Sequence, residues 1–276
     1  MAEIVYVAGY GHSGSTVLGI VLGNAHGALN LGEVAMLERD PSVLSRSRPA
    51  AAPRWASLRT QLADELSRAA SYKPGGKPGG KPGSPRGYAS VRNAFFSTVE
   101  REAGCGLLVD SSKTPVAGLL RPRALRGEGH RVLVVHLVRD PRAVLYSLYR
   151  KATRGKRRFT GFKVLIGWIA SNIGTAVLCG GTPSAVVSYE AFVTRPGEVL
   201  DALSSRLGVD FSAARDALVA EKPLDPGFQI NGNRMSRAEV IALKPDFAWQ
   251  SRAPRRVRVL GALGLPLYRF LTRRSL

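Results

Sequence analysis

The chain has 276 residues, 45% of them hydrophobic and 22% charged, proportions that support a sizeable buried core and exclude a disordered or low-complexity chain. Forty Lys and Arg against twenty Asp and Glu leave a formal charge of +20, which bears on partners and not on fold. The two cysteines (Cys105, Cys179) and four scattered histidines (His12, His26, His130, His136) offer no disulfide framework and no zinc-like spacing, and point to a reducing, cytosolic setting without a structural metal.

In chain order, Glu3–Ala8 (EIVYVA) reads as a buried first strand and Thr16–Asn24 as a helix, with a Gly/Ser turn between them. The run from Ile4 to Ala28 is not a signal peptide: it lacks a basic leader, follows Glu3, and is broken by Gly11, His12, Ser13 and Ser15. Leu31–Leu37 follows a short loop, Pro49–Pro53 interrupts the chain, and Trp55–Ala70 has helical spacing through Leu58, Leu62 and Leu66. Tyr72–Tyr88 contains KPGGKPGGKPGSPRG, in which Pro removes donors and Gly raises the entropy cost of order. It reads as a mobile basic insertion, either a surface linker or a lid. Ser90–Ala103 is helical. Gly106–Asp110 and Arg131–Val138 are continuous apolar runs, and such strands separated by helices imply a parallel sheet covered on both faces.

Asp140–Lys151 carries strong helix-start signals, Asp140 at the N-cap and Pro141 at the first helical position. Val164–Tyr189 has no charged residue, yet Ser171, Asn172, Thr175, Gly180, Gly181 and Pro183 interrupt it. The segment therefore reads as a buried helix, a turn and a strand at Ser184–Tyr189, not as a membrane span. Glu198–Leu207 is a helix. From Ser251 the tail is basic and apolar by turns, and reads either as an amphipathic segment on anionic lipid or as a helix packed on the domain with its arginines outward. The expected architecture is a three-layer α/β domain over residues 1–250 with a central parallel sheet, followed by a basic segment over 251–276.

Two groups of residues carry chemistry. Gly9 to Thr16 (GYGHSGST) lies between a strand and a helix, where a glycine-rich turn presents N–H groups to a phosphate. Gly11 and Gly14 let the backbone approach the anion, and Ser13, Ser15 and Thr16 add hydroxyls. No lysine follows Gly14, which disfavours a Mg²⁺-dependent kinase of the Walker type. Arg139 ends a strand on the edge where open α/β sheets bind ligands, and Ser147 lies about two helical turns beyond it. A guanidinium fork with a hydroxyl suits a second phosphate, so the pair of sites suggests one nucleotide bearing two phosphoryl groups.

Gly9–Leu18 (GYGHSGSTVL) resembles the 5′-phosphosulfate loop of sulfotransferases that use 3′-phosphoadenosine 5′-phosphosulfate, and Arg139–Ser147 (RDPRAVLYS) resembles their 3′-phosphate motif. Ile230–Arg234 (INGNR) is similar to the late loop that closes over the 3′-phosphate, which brings in Gly232, Asn233 and Arg234. Tyr189-Glu190 resembles the tyrosine-acid step after a late strand. The resemblance implies attack of an acceptor hydroxyl on sulfur, with adenosine 3′,5′-bisphosphate leaving and no metal required. It implies Glu33 as the base, as in the bacterial and protein-tyrosine branches, and Lys113 as the cation that steadies the leaving phosphate. The family usually has Lys or Arg where this chain has His12. Protonated His12 supplies that cation, or Lys113 does, or His12 is itself the base. Ser111 and Ser112 either donate hydrogen bonds in the site or cap the next helix. His136 reads as core, and His26 is placed near the mouth of the site.

The acceptor is not written in the chain. The apolar and basic character of Phe159–Trp168 and of the tail suits a small-molecule or lipid-like hydroxyl acceptor, with peripheral contact to the inner face of an anionic membrane. The charge also suits a non-enzymatic nucleic-acid module, but no nucleic-acid motif accompanies it, and no aromatics interleave with the basic run. A nucleotide kinase is the other competing class.

Overall fold

Each apolar run becomes a strand of one sheet, in a computed structural model that describes residues 2–40, 43–46, 56–71, 85–113, 117–179, 181–230, 241–273 and 275–276. The chain runs β1 (Glu3–Ala8), α1 (Ser15–Leu22), β2 (Ala28–Gly32), α2 (Ala35–Arg39), α3 (Val43–Arg46), α4 (Ala56–Ser71), α5 (Pro85–Ala103) and β3 (Leu107–Asp110). There follow α6 (Ala117–Gly127), β4 (Arg131–Val138), α7 (Pro141–Arg154), α8 (Gly161–Leu178), β5 (Ser184–Ser188), α9 (Tyr189–Thr194), α10 (Pro196–Leu207) and α11 (Ser212–Val219). Three helices close the chain, α12 (Trp249–Arg252), α13 (Arg255–Ala262) and α14 (Leu265–Thr272).

The sheet is fully parallel, in the order β2-β3-β1-β4-β5. Alternation along the strands splits the core into two layers. Val5, Val7, Leu133, Val135 and Val187 pack with Ile20, Phe192, Leu200 and Phe211 on one side. Ile4, Tyr6, Val132 and Val134 pack with Leu62, Phe95 and Phe96 on the other. Fully burying one such side chain stabilises by about 1.5–3 kcal/mol, so the two layers hold the sheet between its helices. This is the three-layer α/β arrangement expected from the sequence.

The parallel sheet decides the site. Every strand ends on the same edge, so Gly9 after β1, Glu33 after β2, Lys113 just past β3, Arg139 after β4 and Tyr189 after β5 come to one crevice. The chain order also reverses across β1, with β3 on one side and β4 on the other, which opens the crevice beside the Gly9–Gly14 turn.

Four details depart from the sequence expectations. Ala28–Gly32 is an edge strand, hidden in the sequence because it holds only five residues, Asn30 and Gly32 among them. The basic insertion ends sooner than Tyr88, since α5 starts at Pro85, where a missing N–H is tolerated; residues 72–84 lie outside the described residues. His26 follows α1 and precedes β2, on the sheet's amino edge, and so lies away from the mouth of the site. Last, α8 is not a buried helix: only Leu165, Trp168, Asn172 and Thr175 are buried. It is the one described helix long and apolar enough to cross a membrane.

His136 is core, as expected. It is buried, and its Nε2 meets Asn172 Oδ1 at 2.9 Å. The tail folds onto the domain, with Val257 and Gly261 of α13 packed toward α7 and Leu271 of α14 packed with Val138 and Trp168.

Candidate active site

The Gly9–Gly14 turn needs its glycines. Gly9 has φ +127°, and a Cβ there would sit 2.3 Å from the Leu137 carbonyl oxygen. Gly14, the N-cap of α1, has φ +96°, and a Cβ would lie 2.5 Å from the Tyr189 ring. No side chain caps α1, so its first-turn N–H groups are left for another acceptor. Ser13, just before α1, has a buried Oγ with no hydrogen-bond partner among the described residues. Buried hydroxyls are normally satisfied, and one left over at a helix N-terminus has the donor chemistry that suits an anion. Ser15 and Thr16 are buried beside it, and Gly11 has open space where a side chain would be.

Arg139 arrives from β4 and is buried. Its guanidinium lies 4.1 Å above the Tyr189 ring and donates to the His12 carbonyl at 3.2 Å and to the Asp246 carbonyl at 2.8 Å. The Asp246 carboxylate stands 3.4 Å away, while Nε has no partner among the described residues. The fork therefore hydrogen-bonds two backbone carbonyls, pairs loosely with a half-exposed carboxylate, and keeps Nε without a partner among the described residues. Ser147 on α7 is joined to the turn through His12, Oγ to Nδ1 at 2.9 Å. The start of α7 is rigid: Asp140 accepts from the Arg142 N–H at 2.8 Å, and the Glu190 carboxylate receives the Asp140 N–H at 3.1 Å and the Tyr268 hydroxyl at 2.8 Å.

His12 is held in a left-handed conformation, φ +68°. Burial pushes its pKa down to about 4, aided by Lys151, Lys113 and Arg139. It is thus a neutral imidazole at pH 7 in this state, neither a cation nor a strong base. Lys113 is different. Burial lowers its pKa to about 8, opposed by the charges of Glu33 and Asp110, and it stays mostly protonated at pH 7. Lys113 therefore supplies, with Arg139, a cation beside the turn that His12 does not.

Glu33 is half-buried and follows the left-handed Gly32, φ +72°, whose missing Cβ leaves room for the Ile230 carbonyl 2.7 Å away. The Glu33 N–H donates to that same carbonyl at 2.8 Å. Ser112 Oγ accepts the Ala35 N–H at 2.8 Å, at the start of the earlier helix α2 and not of the helix that follows it in the chain. Asp110, fully buried, pairs with Arg121 at 2.6 Å and accepts from the Ser112 N–H at 2.8 Å, which braces the loop that carries Lys113. Gly232, Asn233 and Arg234 lie outside the described residues.

A cavity of about 420 Å³ opens against the turn. Tyr10, His12 and Lys113 form its reactive end, and Leu119, Leu148 and Gly167 its apolar wall. Asp246 and this wall were not legible in the sequence. They come from segments far from the motifs and carry no local signature. Among the described residues, no group of three or more His, Cys, Asp or Glu is placed to hold a metal ion.

No family model and no curated protein matches the chain. Among solved structures it is similar to the sulfotransferase domain of the Synechococcus PCC 7002 olefin synthase, at 20% identity and a TM-score of 0.57, over 96% of this chain and 94% of that one. It is also similar to the sulfotransferase domain from the curacin biosynthetic pathway, at 18% identity and a TM-score of 0.51, over 95% of this chain and 97% of that one. The chain has the sulfotransferase fold. In this sulfotransferase fold the two phosphate-type motifs read from the sequence converge on one edge, joined by the His12–Ser147 and Arg139–His12 hydrogen bonds.

Proposed function

We propose that the protein transfers a sulfuryl group from 3′-phosphoadenosine 5′-phosphosulfate to the hydroxyl of an acceptor with an apolar body. The observation that carries this reading is the convergence on one crevice of the α1 N-terminus with Ser13 Oγ and of the Arg139 fork, both of which keep donors without a partner among the described residues. Both fit the donor: one end of a bisphosphate suits the turn formed by Gly11, His12, Ser13, Gly14, Ser15 and Thr16, and the other suits Arg139 and Ser147. Tyr189, under the guanidinium, holds the fork in place. Gly232, Asn233 and Arg234 are assigned to the same phosphate by the motif alone.

The donor supplies the sulfuryl group and a bisphosphate leaving group. Glu33 takes the proton of the acceptor hydroxyl as its oxygen bonds to sulfur and the bond from sulfur to the 5′-phosphate oxygen breaks. Lys113 and the α1 N–H groups meet the charge that grows on that departing oxygen. Neutral His12 holds Ser147 and the turn in register. The apolar wall of Leu119, Leu148 and Gly167 excludes water from the acceptor, which limits hydrolysis of the donor. An acceptor that fills this wall is a small or lipid-like alcohol.

The test is calorimetric titration with adenosine 3′,5′-bisphosphate, AMP and ATP, on the wild type and on Arg139→Gln. The bisphosphate is expected to bind at least tenfold more tightly than AMP, with that preference lost in Arg139→Gln, because a charge-assisted hydrogen bond is worth about 1.5–3 kcal/mol. Preference for ATP, or indifference to the 3′-phosphate, would overturn the assignment.

A further inference from the structure

The surface of α8 is unusual for a helix that lies on a domain. Phe162, Ile166, Ile173 and Val177 are 61%, 51%, 46% and 68% exposed. Their spacing, with exposed Ala170 between them, puts them on one face over the whole helix. The opposite face, Leu165, Trp168, Asn172 and Thr175, is buried, and Asn172 is bonded to His136 of β4. A helix tied to the central sheet in this way does not cross a bilayer, so its apolar stripe is available to lie along one.

Charge identifies the occupant. No Asp or Glu occurs between Asp140 and Glu190. The end of α7 and the loop before α8 carry Lys151, Arg154, Lys156, Arg157 and Arg158, and α8 adds Lys163; all six are exposed, and none pairs with a carboxylate among the described residues. A basic cluster at one end of an apolar stripe is the pattern that suits an anionic lipid surface, where the charges meet headgroups and the stripe enters the acyl boundary. Nucleic acid would use the charges and leave the stripe in water.

Position links this surface to the site. Ala170 lies on the exposed face and also lines the 420 Å³ cavity, next to Gly167 and Ser171. The cavity thus opens along the flank of the stripe.

We propose that the α8 face and its basic rim dock the protein on an anionic membrane surface, with the cavity mouth turned toward the lipid. The docking does not depend on nucleotide chemistry, so its failure leaves the sulfuryl-transfer reading intact, and the reverse also holds.

The experiment is co-sedimentation of the full chain with phosphatidylcholine vesicles, with and without phosphatidylglycerol. Binding is expected with phosphatidylglycerol and at least tenfold weaker without it. Phe162→Ser/Ile173→Ser and Arg157→Gln/Arg158→Gln should each weaken it at least tenfold while leaving the melting temperature unchanged, since all four residues are exposed. Hydrogen exchange on the unmodified protein gives a reading that needs no variant: amides of α8 should slow on these vesicles. The proposal is overturned if the wild type stays in the supernatant, if α8 exchange is unaltered, or if the stripe variant binds as well as wild type. Equal retention on duplex DNA that the stripe variant keeps would show a generic polyanion surface, and would overturn it too.

Discussion

Lys113 holds a charge where a lysine is poorly solvated, and that cost is measurable. Its pKa falls from 10.5 to about 8 through burial, even with Glu33 and Asp110 working the other way. At about 1.4 kcal/mol per pH unit, the difference is about 3 kcal/mol against the folded state whenever the lysine is charged in both states. The unfolded chain binds the extra proton between pH 8 and 10.5, so stability rises with pH across that window, and the full cost is present below pH 8. Lys113→Met should therefore stabilise the protein at pH 7 by up to about 3 kcal/mol, which at about 2–4 °C per kcal/mol is roughly 6 °C or more in Tm. The same variant should lose sulfuryl transfer, because the cation facing the departing oxygen is gone. Thermal melts of wild type and variant at pH 7 and pH 10.5 check the first half, and the stability gap should shrink at the higher pH. A variant less stable than wild type at pH 7, with a gap that ignores pH, would refute the reasoning. It would mean that the Lys113 charge is well satisfied by its carboxylate neighbours.

Other consequences are as direct. His136, buried and held down to about 4, binds its proton later than the unfolded chain does, so up to about 3 kcal/mol of stability should be lost as pH falls from 6.5 to 4; His136→Gln should flatten that part of a melting-versus-pH curve. Gly14→Ala combines a left-handed φ with a Cβ 2.5 Å from the Tyr189 ring, and should cost about 2–4 kcal/mol in urea unfolding and abolish nucleotide binding. Asp246→Asn removes the carboxylate that competes for Arg139; because that pair is solvent-exposed on the Asp246 side, the gain in affinity for adenosine 3′,5′-bisphosphate should stay within about fivefold by calorimetry. Gly167→Leu should crowd the cavity and press on the Tyr10 ring, 3.1 Å from where its Cβ would sit, raising the acceptor KM or abolishing turnover in a steady-state assay.

The fold class was legible because parallel strands buried on both faces must be continuous apolar runs, and β1, β3 and β4 are such runs, with helices between them. The Gly9–Gly14 turn was legible for a local reason: its glycines and the hydroxyls at 13, 15 and 16 fall where a strand passes into a helix, and such a turn is set by its own backbone. The start of α7 was readable from Asp140 and Pro141 alike. Edge strand β2 was not, because a short strand with Asn30 and Gly32 has no periodic signal. His12 was open between cation and base until its surroundings were known; only the packed site, with Lys113, Lys151 and Arg139 close by and water removed, sets its pKa. Asp246 meets Arg139 from more than a hundred residues away, and the cavity wall joins α6, α7 and α8, so neither has a signature in local spacing. The exposure of α8 was invisible for the same reason. A helix whose only charge is Lys163 looks the same in sequence whether its whole surface is buried or one side, and it is the tertiary contact with β4 through Asn172 that turns one side in and leaves the other out.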